Sequence, residues 1–101
     1  MNFKTSYILN ITLSINRNYR YDAIIYNVTD EKKYRIHFGN KGQNIYNDKT
    51  NIKFYKKDGN ARNFKATDDI KDKNKFLRNH FKNLKMGINE DYLNYRFLYS
   101  D

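Results

Sequence analysis

Cysteine, proline and tryptophan are absent from this 101-residue chain, and glycine occurs only four times. Without cysteine there is no disulfide framework, no thiolate metal site and no cysteine nucleophile. Long apolar runs are missing as well. Asn10, Thr12 and Ser14 break up the apolar residues of the opening stretch, so Met1 to Ile15 reads as neither a signal peptide nor a membrane span. An intracellular setting is compatible with the absence of cysteine. Alanine is scarce, while Asn, Lys, Ile, Tyr and Phe abound. That inventory is what a very A/T-rich genome produces.

The few glycines also exclude familiar nucleotide loops. In "FGNKGQNIYND" the glycines Gly39 and Gly42 lie three apart after an alternating apolar run. A phosphate-binding loop of the Walker type needs a lysine and a hydroxyl after its last glycine, and the dinucleotide fingerprint needs three glycines opening a helix. Neither pattern is present, so these glycines read as a strand exit, with Lys41 a minor candidate for touching phosphate.

What the chain does have is positive charge, formally +9. Lysine outnumbers arginine 14 to 6, so codon bias accounts for part of it. The distribution is uneven: residues 1–66 hold 13 Lys and Arg against 5 acids, and residues 67–101 hold 7 against 6. The front two thirds carry the field.

Length implies one domain, residues 1–101, with a modest core. "ILNITLSIN" alternates with period two, which places Leu9, Ile11, Leu13 and Ile15 on one side of a strand and Asn10, Thr12 and Ser14 on the other. "YDAIIYNV" reads as a second strand, with Ala23 and Ile25 on one face and Ile24, Tyr26 and Val28 on the other. After a turn at "TDEKK", "YRIHF" reads as a third, with Tyr34, Ile36 and Phe38 opposed to Arg35 and His37. "NIKFY" and "ARNFKA" flank an Asp-Gly pair and suggest a further hairpin.

From Thr67 the period becomes helical. Ile70, Leu77, Phe81 and Leu84 recur at helical spacing with Phe76 and His80 beside them, Thr67, Asp68 and Asp69 supply the start, and Gly87 closes the helix. A short second helix is expected after Asn89, with Leu93, Phe97 and Leu98 turned inward and Tyr92, Tyr95 and Tyr99 around them. The expected fold class is α+β: an antiparallel sheet of three to five strands packed against one or two C-terminal helices.

These segments resemble a family. "YRIHFGNKGQNIYND", then "DKNKFLRNHFKNL" and a closing "YLNYRFLYSD" are similar to a small uncharacterised family of large nucleocytoplasmic DNA viruses. Phe38, Gly39, Lys41 and Gly42 match its loop, Tyr46 stands near its aromatic residue, Phe76 and His80 match its helix, and Leu98 with Tyr99 stands where the family ends in Leu-Trp. The resemblance covers roughly residues 33–99 with gaps. Asn79 replaces the family's Arg before His80, Tyr99 replaces its Trp, and "KFYKKDGNARNFKATD" is an insertion. The resemblance implies a viral or phage protein and no known activity.

Groups for catalysis do not converge in the sequence. His37 and His80 fall on different elements, with no His-x-x-x-His and no paired acidic motif. Asp68, Asp69 and Asp72 sit at a helix start, where acids serve the dipole and the capping amides. His80 reads as a helix-face residue that hydrogen-bonds locally. No enzyme, metal site or cofactor is expected.

Nucleic-acid binding has more support, because single strands are held by basic side chains interleaved with aromatic faces. Candidate contacts are Arg17, Arg20, Lys33, Arg35, His37, Lys41, Lys53, Tyr55, Lys56 and Arg62, with Arg35 and His37 sharing a strand face. The expected partner is the backbone of DNA or RNA, bound without base specificity. The alternative is a structural or adaptor role, such as a minor virion component docking on a larger or acidic protein surface. Ten tyrosines and open sheet edges suit that role and also permit a homo-oligomer; no membrane partner is expected.

Overall fold

The computed structural model describes residues 1–52 and 66–100. It is an α+β fold, with a three-stranded antiparallel meander, β1 (Ser6–Leu13), β2 (Tyr19–Asn27) and β3 (Lys32–Asn40), in the order β1-β2-β3. Two helices follow, α1 (Ile70–His80) and α2 (Glu90–Asn94), each running on into a tighter or wider turn, 3₁₀ over Phe81–Lys85 and π over Tyr95–Tyr99. The hairpin expected around the Asp-Gly pair lies outside the described residues.

Alternation predicts the faces of β2 and β3, and the register bears it out. Tyr21 pairs with Phe38, Ala23 with Ile36 and Ile25 with Tyr34. Tyr21, Ala23, Ile25 and Phe38 are buried under the helices. The opposite face receives Asp22 beside His37, Ile24 beside Arg35 and Tyr26 beside Lys33. The turn between these strands is made by Asn27, whose side-chain oxygen accepts from the Thr29 amide, and by Glu31 at φ 56°.

β1 departs from the expected phase. A bulge between Ile8 and Asn10 inserts one residue, so that Ile8 and Ile11 face the core and Leu9 is left 53% exposed. An extra residue in one strand of an antiparallel pair reverses the side-chain alternation beyond it. Ile15 falls past the strand end, 76% exposed.

The helical layer also differs in detail. Asp69 caps α1 by accepting from the Lys71 amide, and Thr67 donates to Asp72. Phe76 is the buried anchor of α1, stacked at 4.3 Å on Tyr99; Leu77 and Leu84 are half-buried, while Ile70 and Phe81 are exposed. Ile70 stands at the first position of α1, and Phe81 leaves the stripe because a 3₁₀ turn follows His80, with three residues per turn in place of 3.6. Asn89 caps α2, its side chain accepting from the Tyr92 amide; Leu93 and Leu98 fill the core as expected, while Tyr99, expected around them, is itself buried in the core and Phe97 is only half-buried.

Two glycines let backbones approach. At Gly39, φ is +74°, and a Cβ would lie 3.0 Å from Leu98 Cδ1 and 3.2 Å from Arg20 Cβ. The Gly39 amide donates to the side-chain oxygen of buried Asn94, which ties α2 to β3. At Gly87, φ is +130° and a Cβ would overlap the Met1 carbonyl, which accepts from the Ile88 amide. Gly42 has open space around it apart from the Asn40 side chain. Gly39→Ala therefore combines left-handed strain with overpacking, and its unfolding free energy is expected to fall by about 2–4 kcal/mol in denaturant titration.

Candidate nucleic-acid interface

The helices cover one face of the sheet, and among the described residues no helix packs on the other. Register turns that open face into three rows of three. Tyr7, Tyr26 and Lys33 form the first row, Asn10, Ile24 and Arg35 the second, and Thr12, Asp22 and His37 the third. Strand spacing of about 4.8 Å and about 7 Å between alternate residues make this a patch of roughly 10 by 14 Å.

Asp22 organises the third row. Its carboxylate is fully buried and accepts from the Ser14 hydroxyl at 2.6 Å, the Ile15 amide at 3.1 Å, Arg35 Nη1 at 2.7 Å and His37 Nδ1. Burial alone would push this carboxyl up. The hydrogen bonds from His37, Ser14, Arg35 and Ile15 outweigh burial and bring its pKa down to about 2. The outer parts of its partners reach solvent: the Arg35 side chain is 39% exposed and that of His37 33%. Tyr19 stacks on the His37 ring at 5.5 Å between centroids.

The predicted contact residues thus fall into groups. Lys33, Arg35 and His37 share the open face, and Arg17 is exposed in the β1–β2 connection near the third row. Arg20 is buried at the end of the sheet, its guanidinium donating to the carbonyls of Asn40 at 2.6 Å and Gln43 at 3.0 Å. Burial lowers its pKa, with Tyr99, Tyr21 and Asp48 opposing. Lys41 is half-buried just past β3. Lys53, Tyr55, Lys56 and Arg62 lie outside the described residues.

Sequence reasoning placed Tyr26 on this face but named neither it nor Tyr7 as a contact residue, and it missed Asp22 and Ser14 as the support beneath. The signal for Asp22 was present: a lone acid inside the apolar run "YDAII" has to be paired when the strand is buried. The core tyrosine beside it, Tyr21, donates to Asp48 instead; burial first and that hydrogen bond second raise its pKa.

A separate polar cleft of about 260 Å³ lies between α1 and the 42–44 loop, lined by Asp72, Lys75, Phe76, His80 and Tyr99 among others. His80 Nδ1 is 3.1 Å from Asp91, and its ring stacks on Phe76 at 4.8 Å. Tyr99 donates to the Asn44 carbonyl on the cleft wall. Among the described residues no three His, Asp or Glu side chains converge as metal ligands.

Comparison with protein families, with curated proteins and with solved structures returns no match. Among the described residues no helix is long and apolar enough to cross a membrane. The geometry of the open face therefore carries the functional reading.

Asp22 also sets an acid limit on stability. A carboxyl held low in the fold contributes stability above its unfolded pKa, near 3.9, and that contribution is lost as pH falls through about 2. Asp22→Asn is expected to cost about 2–4 kcal/mol at pH 7, because it leaves donors short of an anion. The gap between wild type and variant should narrow between about pH 4 and 2 in denaturant titrations.

Proposed function

We propose that this protein binds single-stranded nucleic acid without base specificity, through the open face of its sheet. The observation that carries this reading is the grid itself: Tyr7 and Tyr26 side by side, with Lys33, Arg35 and His37 along the neighbouring strand. Phenolic rings offer bases a stacking surface, and cations beside them meet the phosphates. A flat patch of this size suits a short run of single strand better than the grooves of a duplex. The role is one of binding and not of catalysis, since Asp22, the carboxylate nearest His37, is saturated with donors and turned away from solvent.

Fluorescence anisotropy with a labelled oligouridylate and the matching oligodeoxythymidylate tests this directly. Affinity should fall steeply between about 50 and 200 mM salt. Tyr7→Ala and Tyr26→Ala should each weaken binding by about 5- to 100-fold, and Lys33→Ala should reduce the salt slope by about 1. Absence of binding at low salt removes the proposal.

Docking on a larger protein is the second reading, favoured by the exposure of Leu9, Leu13 and Ile15 along and just beyond the free edge strand β1. Such an edge can accept a partner's strand. Leu9→Lys with Leu13→Lys should abolish co-sedimentation with that partner and leave oligonucleotide affinity intact; weakened oligonucleotide binding would place these residues on the nucleic-acid surface instead.

A further inference from the structure

The open face holds more than a general positive field, because two of its cations are aimed by the same buried carboxylate. Asp22 presents two oxygens, and each is taken twice: Oδ1 by the Ser14 hydroxyl and His37 Nδ1, Oδ2 by Arg35 Nη1 and the Ile15 amide. A carboxylate has about four acceptor sites, so Asp22 is complete and has nothing to offer an outside ligand. Its effect is on the neighbours. Arg35 is held at one nitrogen, and among the described residues its other nitrogens have no hydrogen-bond partner. His37 is held at Nδ1, so in the neutral ring the proton stays on Nδ1 and Nε2 is a bare acceptor. Nε2 likewise has no partner among the described residues, and the side chain is 33% exposed.

That tautomer has a consequence for anions. Neutral His37 turns a lone pair toward any phosphate approaching Arg35. Protonated His37 turns an N–H, and the two side chains then form a pair of donors on one strand face, since they are two residues apart on β3. We propose that Arg35 and His37, propped by Asp22, form a seat for a single phosphate group that is complete only when His37 carries a second proton. The chemistry is that of a singly charged phosphate oxyanion, a phosphate monoanion or a phosphodiester, free or within a nucleic-acid strand. Where the ligand is a strand, the inference rests on the function proposed above.

The groups around the His37 ring are few. Asp22 faces it from β2, Arg35 flanks it on β3, and Tyr19 covers it. Glu90 of α2 is within electrostatic reach; desolvation first and Asp91 second push its carboxyl up, while His80 and His37 pull the other way. Ser14 completes the ring of contacts, 3.4 Å from Nδ1, and does not titrate in the working range.

The experiment has two arms on the full chain. In the first, ¹⁵N-detected NMR follows the His37 ring while inorganic phosphate is added at pH 5.5 and pH 7.5. In the second, anisotropy measures oligouridylate affinity at the same two values and constant ionic strength. Expected results are a phosphate-dependent downfield shift of the Nε2–H proton resonance at pH 5.5 only, and an affinity about tenfold tighter at pH 5.5 than at 7.5. His37→Gln should make that affinity independent of pH to within about twofold, whereas His80→Gln should keep the full dependence. Circular dichroism melting confirms that each variant is folded, and the wild-type NMR arm needs no variant.

Oligouridylate binding that is equal at both pH values, with no phosphate response at His37, overturns the seat and leaves the proposed function standing. A phosphate response at His37 with no oligonucleotide binding at either pH supports the seat and removes nucleic acid as its ligand. No response in either arm overturns both. Dependence lost in His80→Gln and kept in His37→Gln moves the proton to the cleft on α1 and overturns the seat.

Discussion

A carboxylate removed from water has to be surrounded by donors, and Asp22 recruits them from two other parts of the chain. Ser14 and Ile15 come from the end of β1, while Arg35 and His37 come from β3 across the central strand. An unpaired buried charge would cost several kcal/mol, so these contacts act together or not at all. The β1–β2 connection, the register of β3 and the aim of two cations are thereby tied to one residue. On the other side of the same strand lie Tyr21, Ala23 and Ile25, sealed under the helices. The central strand thus separates an apolar interior from a polar anchor by the thickness of one backbone.

A sheet of three strands with one helical layer can cover only one of its faces. The helices are fastened where they do cover it. Asn94 accepts from Gly39 on β3, the 47–49 segment donates from Asn47 and Lys49 to the carbonyls of Leu98 and Phe97, and Thr67 reaches back to the Ile45 carbonyl. These fastenings run along the β3 side of the molecule. The β1 edge is left unpaired among the described residues, and the bulge at Leu9 divides its array of amides and carbonyls into two short runs.

Charge counted along a chain overstates charge available at a surface. Arg20 is turned to backbone carbonyls at the end of the sheet, and Arg35 shares its charge with Asp22. What the open face gains in return is direction. A guanidinium and an imidazole with one end held lose less freedom on meeting an anion than two free lysines would, which is the value of preorganisation at a binding site. The proposed interface therefore rests on few cations placed well and on the tyrosines beside them, more than on the formal +9.

Much of the fold was legible from local pattern. Alternation identified β1, β2 and β3 and the split between Ile36 with Phe38 and Arg35 with His37, while the capping residues Asp69 and Asn89 announced both helices. Such features depend on nearest neighbours and on backbone preference, so a linear sequence contains them. The bulge at Leu9 and the tightening after His80 were not legible, because each is chosen by what the segment packs against. The same holds for the site. Lys33, Arg35 and His37 could be placed on one strand face by counting, but that Tyr7 and Tyr26 stand beside them, that Arg20 turns inward and that Asp22 closes beneath them follow from inter-strand register and burial. Composition and period determined the class of fold and the type of surface. Which side chains meet was decided by tertiary structure, since a contact between residues far apart in the chain exists only after the strands have paired.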